Sequence, residues 1–412
     1  MARLHSARAG LSILTGLNLL NYIDRYLVSG MLPKISEGLG LSDVRAGLLF
    51  TMFIVTYSVV SPAAGWLGDQ RARFPLAAIG VLIWSAATFA SGLAPTLAFF
   101  LVARALVGVG EASYSVVTPS LLADFFPPER RGRALATFYA AIPLGSAMGF
   151  ALGGVLGQHL GWRPAFFIAG GPGAILGLAL LFLRDPPRGA FDPPRPSGHV
   201  APTLRQSFKM LLARRSYLHN TAAQTIYTFA LGGLATWMPT YFVRERHLPL
   251  ATAGVTFGAV LCLAGFAGTL VGGQVGDRMA ARIPGAHFLL SGWALISSLP
   301  FTAVAILSPH PAIFWPSMFV TLFLLFLNMG PLNAAMANVL PPDLRSRGFA
   351  FYTVSIHLLG DAISPPIIGG VSDRIGGLKW PVLGAGSLLV VAGLVLLAGR
   401  RALARDLAGA AS

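Results

Sequence analysis

The 412-residue chain is 55% hydrophobic and only 11% charged, whereas an average soluble protein carries roughly 25% charged residues. So little charge cannot cover the surface of a soluble protein of this size, so lipid must cover much of it. The lone cysteine, Cys262, excludes an internal disulfide and a cysteine metal cluster. The net charge of +15 would suggest nucleic acid in a soluble protein, but its distribution along this chain reads as topology, and no nucleic-acid partner is expected.

In chain order, Arg3 and Arg8 precede an apolar stretch that runs past Asn21 to Pro33. It has no early small-residue cleavage pattern and reads as a first membrane span rather than a signal peptide. A membrane helix needs roughly 20 mostly apolar residues. Polar and Gly/Pro punctuation divides the chain into twelve such stretches: 11–33, 44–68, 74–93, 96–125, 133–157, 164–183, 217–243, 251–275, 286–307, 311–339, 346–371 and 380–399. With both termini cytoplasmic, 21 Lys/Arg residues fall on the inner side and seven (Lys34, Arg45, Arg163, Arg244, Arg246, Arg374 and Lys379) on the outer side. Arg25 and Arg104 lie within spans. This asymmetry predicts cytoplasmic ends in a plasma (inner) membrane.

Residues 184–215 separate two groups of six spans, 1–183 and 216–412. The piece from Arg184 to Pro202, which includes Arg195, is a Pro/Arg/Gly-rich linker. Leu204, Phe208, Leu211 and Leu212 follow at helical spacing, with Arg205 and Lys209 on other faces. They suit a short helix lying on the inner leaflet, or one packed against the bundle.

The two groups repeat one another. Gly65-Trp-Leu-Gly68-Asp69-Gln70-Arg71-Ala72-Arg73 follows span two, and Gly273-Gln-Val-Gly276-Asp277-Arg278 follows span eight. Pro127-Pro-Glu-Arg-Arg131-Gly-Arg133 follows span four, and Pro341-Pro-Asp-Leu-Arg345-Ser-Arg347 follows span ten. The offsets are 208 and 214 residues. A duplicated six-span unit, related by a pseudo-twofold axis along the membrane normal, explains both. Glycines let helices approach closely, Asp69 and Asp277 suit a neighbouring helix N-terminus, and the arginines can bridge to acids on the adjacent half. Gly65, Asp69, Arg71, Arg73, Arg131, Arg133, Asp277, Arg278, Arg345 and Arg347 then form a conformational latch, or a static brace.

With these loops the chain resembles the major facilitator superfamily along nearly its whole length. The Gly65–Arg73 loop departs from that family's usual pattern at Gln70 and Ala72. Arg104-Ala-Leu-Val-Gly108-Val-Gly110 is similar to its span-four motif. Gly145, Gly149, Gly153 and Gly154 resemble its glycine-rich fifth span without the Gly-Pro pair of antiporters, which leaves exchange and symport open. A narrower resemblance, to the Spinster family, rests on Asn21-Tyr22-Ile-Asp24-Arg25, Gly110-Glu111-Ala-Ser-Tyr114-Ser115 and Phe138-Tyr139-Ala-Ala-Ile-Pro143-Leu-Gly145-Ser146. It implies an all-α membrane protein of twelve transmembrane helices in two six-helix bundles. It also implies transport of an amphipathic lipid such as a sphingoid phosphate or lysophospholipid, driven by protons, with no cofactor and a monomeric state.

Ionisable residues inside spans mark functional paths by default. Asp24 and Glu111 are the candidate proton-coupling groups, because low-dielectric surroundings favour a neutral carboxyl and a nearby guanidinium favours the charged one. Arg25 is placed to attract an anionic headgroup or to hold Asp24, and Arg104 to tune Glu111. The alternative is a buried ion pair that only orients spans one and four. His357 and Asp361 share a face of span eleven before Pro365 and Pro366. They form a candidate second titrating site, or they satisfy backbone groups freed by a proline kink.

Tyr22, Tyr26, Tyr114, Ser115, Thr118, Tyr139, Asn328 and Asn333 are candidate substrate contacts, with Phe138, Met148, Phe229 and Trp237 as apolar wall. No His-x-x-x-His motif or acidic metal-ligand set is present, so an enzyme and a metal site are not expected. The duplicated halves favour alternating access over a symmetric pore. The same fold class also hosts multidrug and organic-anion exporters, the alternative substrate reading.

Overall fold

Every regular element among the described residues is a helix. A spanning helix satisfies its backbone N–H and C=O groups internally, where lipid offers no water to do so. The computed structural model describes residues 2–191 and 203–411, with the side chains of all of these but 2–6, 342–343 and 410–411. The linker stretch 192–202 with Arg195, and the side chains of Arg3 and Asp343, lie outside the described residues.

Among the described residues, ten helices are long and apolar enough to cross a membrane: Asp43–Gln70, Arg73–Gly92, Leu97–Phe125, Pro128–His159, Trp162–Leu180, Leu250–Ala280, Ala286–Leu307, Pro311–Val339, Leu344–Ile375 and Lys379–Gly409. The helices Ala2–Leu39 and Arg215–Arg246, of 38 and 32 residues, complete twelve spans as the first and seventh. Polar residues dilute the hydropathy of these two. They are Asn18, Asn21 and Asp24 in the first and Ser216, Asn220 and Gln224 in the seventh, all buried against other helices.

Local chemistry sets the span ends. Thr96 accepts the Phe99 N–H (3.3 Å) at the start of span four. Pro128, Pro311 and Pro342 open helices where a missing N–H costs little. Gly376 closes span eleven at φ +78°, a left-handed position suited to glycine.

Three spans depart from the continuous helices expected. Span four breaks between Ser115 and Thr118; Pro119 supplies no N–H and disfavours helical backbone before it. Span ten breaks at Asn328, just before Pro331. In span eleven a five-residue π-helix, His357–Asp361, precedes Pro365. The irregularity therefore starts a turn earlier than the proline pair alone implies, with the Ala362 N–H reaching the His357 carbonyl at 2.9 Å.

The repeated loops explain themselves at the first two breaks. A Cβ on Gly68 would stand 2.5 Å from Val117 Cγ1, and one on Gly276 would stand 2.8 Å from Pro331 Cγ. The shared Gly-Gly-Asp pattern thus admits the broken span of each half beside the preceding helix pair.

The helices divide into two units, Met1–Pro196 with Met238–Gly258, and Ser197–Trp237 with Ala259–Ser412. In the first unit, Gly145, Gly149 and Gly153 form a smooth stripe on span five. A Cβ on each would stand 2.6, 2.6 and 2.5 Å from the carbonyl oxygens of Leu19, Ile23 and Leu27 on span one. The shared four-residue spacing makes a continuous small-residue seam, which fixes the rotation of span one. In the second unit, spans nine and twelve cross at Gly292 and Gly393. Span seven meets the π-helix where a Cβ on Gly360 would lie 2.9 Å from the Thr225 carbonyl.

Candidate functional site

The seam with span five leaves Asp24 and Arg25 directed at spans two, three and four. Arg25 Nη2 reaches Glu111 Oε2 at 2.7 Å. Asp24 Oδ2 accepts a hydrogen bond from Thr88 Oγ1 at 2.9 Å on span three and faces Arg104 Nη1 at 3.7 Å on span four. Each charge of span one thus has its partner on span four: Arg25 serves Glu111 rather than Asp24, and Arg104 serves Asp24. Pairing along one helix is unfavourable. Arg104 and Glu111 are two turns apart on span four, and Asp24 and Arg25 point about 100° apart on span one.

Aromatic faces line the cations. The Arg25 guanidinium lies 4.9 Å from the Tyr22 and Phe53 ring centres and 5.5 Å from that of Tyr57. Phe53 also receives Arg104 at 5.1 Å. Such contacts favour a guanidinium most where water is scarce. Gly108 lets span four approach this part of span two, since a Cβ there would stand 2.6 Å from the Phe53 carbonyl.

Water has little access to three of the four charges. The side chains of Glu111, Arg104 and Asp24 are 0%, 1% and 4% exposed, and that of Arg25 is 22% exposed. Hydrogen bonding is incomplete: Asp24 Oδ1, Glu111 Oε1, and Nε of both Arg25 and Arg104 have no hydrogen-bond partner.

Comparison with known proteins decides the family. Residues 14–360 match the model of the Major Facilitator Superfamily. Protein spinster homolog 1 of Bos taurus is 36% identical over 397 residues, covering 92% of this chain and 75% of that protein. The chain belongs to the Spinster family of the major facilitator superfamily. The sphingosine-1-phosphate transporter SPNS2 of Xenopus tropicalis is 32% identical, covering 95% of this chain and 80% of that one. The crystal structure of a bacterial homolog to the human lysosomal transporter Spinster, in an inward-facing and unoccupied conformation, matches with a TM-score of 0.89 at 22% identity, covering 97% and 98% of the two chains. That likeness establishes the twelve-span major facilitator fold. This Spinster-family chain is accordingly a multi-pass membrane transporter and not an enzyme.

The remaining candidate contacts of this Spinster-family protein are dispersed. Tyr22 joins Arg25 in the cluster, whereas Tyr26 packs on Phe150 with ring centres 4.8 Å apart. Tyr114 is wholly buried and donates to the Leu14 carbonyl at 2.5 Å, and Thr118 donates to the Tyr114 carbonyl at 2.7 Å. The Tyr114 hydroxyl is thus engaged with the backbone of span one, and that of Thr118 with the backbone at the span-four break. Ser115 is half-buried beside it, and Tyr139 is exposed on span five against Phe138. In the second unit, Asn328 is buried and donates to Leu325 at 2.5 Å, and Asn333 is exposed and donates to Met329 at 2.8 Å. Phe53, Tyr57 and Thr88 carry no charge and follow no motif. A visible trace is the polar stripe Ser85, Thr88 and Ser91 in otherwise apolar span three.

The loop after span two is tied into its own unit. Arg73, 4% exposed, reaches Asp124 Oδ2 at 2.5 Å and Asp185 Oδ2 at 3.8 Å. Asp185 accepts the Arg73 and Phe74 N–H groups at 2.5 and 2.9 Å. It therefore fills the helix N-terminal place expected of Asp69, which is exposed. Arg188 donates to the Gly68 and Arg71 carbonyls, each at 2.7 Å. Gly65 packs against Val116. Arg131 is half-buried and Arg133 exposed.

In the second unit, Asn338 occupies the place of Asp124 at the repeat offset. Asp277 and Arg278 are exposed. Arg345 turns to the Leu340 carbonyl (3.5 Å), and Arg347 donates to Ser207 Oγ at 2.7 Å. His357 Nδ1 and Asp361 Oδ2 pair at 3.0 Å across the π-helix, a distortion that recurs at functional sites.

Proposed function

We propose that this chain is a proton-coupled secondary transporter of an anionic amphipathic lipid of the lysophospholipid or sphingoid-phosphate type. The carrying observation is the Arg25–Glu111 pair: a wholly buried carboxylate held at 2.7 Å by a guanidinium that remains 22% exposed. A phosphate headgroup arriving at the open side of Arg25 competes with Glu111 for it. Once released, the Glu111 carboxylate is buried without a counter-ion and binds a proton. Departure of the headgroup returns Arg25 to Glu111 and expels the proton. Asp24 follows the same logic through Arg104 when span one moves against span four. The sphingosine-1-phosphate transporter among the relatives supports the lipid class.

In this reading, bundles 1–183 and 216–412, joined by 184–215, alternate access to the site with both termini cytoplasmic, in the plasma (inner) membrane and as a monomer. The two pairs of repeated loops, with Gly65, Asp69, Arg71, Arg73, Arg131, Arg133, Asp277, Arg278, Arg345 and Arg347, act as the latch. His357 and Asp361 form a second titrating pair. The test is a flux panel of lysophospholipids, sphingoid phosphates and organic-anion dyes in proteoliposomes, with and without a pH gradient. Gradient-stimulated movement of the phospholipid-like solutes is expected. Movement of the dyes alone would assign the chain to organic-anion export instead.

A further inference from the structure

Thr203 and Gln206 start the short helix Leu204–Ala213 with a reciprocal capping box. The Thr203 side chain accepts the Gln206 N–H, and Gln206 Oε1 accepts the Thr203 N–H at 2.8 Å. One face is docked: Leu211 is buried among Tyr217, Met336, Leu340 and Tyr352, and Ser207 receives Arg347 at 2.7 Å. A second face is mostly exposed, with Phe208 edge-on to Phe351 (ring centres 5.4 Å apart) at its docked margin. Leu204, Phe208 and Leu212 recur every four residues and are 66%, 48% and 46% exposed. Arg205 and Lys209, also exposed, run along the edge of this stripe.

Two further observations select the partner. No acidic residue occurs from Thr203 to Tyr217, and Arg214 and Arg215 extend the basic run. The helix also ends two residues before Arg215 opens span seven, so the exposed stripe is held at the membrane boundary.

We propose that Leu204–Ala213 is a binding face for anionic phospholipids of the adjoining leaflet. The Leu204, Phe208 and Leu212 side chains enter the acyl boundary, and Arg205 and Lys209 sit at the level of the phosphates. Arg347 connects the docked face to the start of span eleven, so lipid bound here bears on the loop between spans ten and eleven. The inference is independent of which solute crosses the membrane.

Hydrogen exchange of the 204–213 amides tests it on the full-length protein. The protein is placed in nanodiscs of phosphatidylcholine alone or mixed with phosphatidylglycerol. Phosphatidylglycerol should slow exchange across the helix, and added salt should remove the difference. Arg205→Gln/Lys209→Gln should abolish the slowing, since each basic residue near an anionic surface strengthens binding about fivefold and the pair roughly thirtyfold. Unchanged exchange elsewhere in the double variant verifies its fold; should that fail, the salt response of the unaltered protein decides. Equal exchange in the two lipids, slowing that resists salt or survives in a folded double variant, or protection that appears only with two copies per disc overturns the proposal.

Discussion

Arg25 on span one and Glu111 on span four meet at 2.7 Å, while Asp24, the chain neighbour of Arg25, faces Arg104 at 3.7 Å on the same span four. Two helices are thus braced at two heights by ion pairs of opposite sense. Any change at one pair leaves an unbalanced charge beside the other. Phe53 lies close to both cations, at 4.9 and 5.1 Å from Arg25 and Arg104, so the two pairs share one aromatic neighbour. Four consequences are measurable.

Asp24→Asn and Glu111→Gln should each abolish the stimulation of uptake by a pH gradient in vesicles, with normal expression. They should differ in exchange. Glu111→Gln frees Arg25 for an anionic headgroup, so gradient-independent exchange persists and substrate half-saturation falls. Asp24→Asn leaves Arg25 occupied by Glu111 and gives no such gain. Undiminished gradient dependence in both variants would sink the coupling role.

Stability should separate loss of one charge from loss of both. Arg25→Met strands the buried Glu111 carboxylate and should cost about 3–5 kcal/mol. The double variant Arg25→Met/Glu111→Leu should recover most of that, because apolar replacements of a buried pair are often neutral. Equilibrium unfolding in detergent measures both; a double variant no more stable than the single one would contradict the pairing.

The seam between spans one and five predicts position-specific intolerance. A Cβ on Gly149 would stand 2.6 Å from the Ile23 carbonyl, whereas one on Gly171 in span six meets nothing within 4 Å. Gly149→Ala should therefore destabilise by about 1–3 kcal/mol through forced separation. Gly171→Ala should be neutral or gain up to about 1 kcal/mol of helix propensity. Thermal unfolding of the two variants side by side checks the contrast.

Arg73 tests the brace at the end of span two. Its guanidinium serves Asp124 at 2.5 Å and the Pro186 carbonyl at 3.2 Å together, a fork that an ammonium cannot reproduce. Arg73→Lys should cost about 1–3 kcal/mol, close to the loss on Asp124→Asn. Wild-type melting temperature in Arg73→Lys would show that charge alone suffices there.

Much of this molecule was legible in one dimension. Length and apolarity of the stretches fix helices in lipid, because backbone groups there have no other partner. The positions of Gly68 and Gly276 report a duplicated unit, and Asp24, Arg25, Arg104 and Glu111 stand out because charge inside a span is rare. Only the tertiary structure decided who pairs with whom. That depends on the rotation of span one, which the Gly145, Gly149 and Gly153 seam sets and which pattern alone does not encode. Phe53, Tyr57 and Thr88 joined the site through packing, with no charge to announce them. Asp185, not Asp69, caps span three, since the carboxylate that approaches the N–H groups of Arg73 and Phe74 comes from beyond the end of span six.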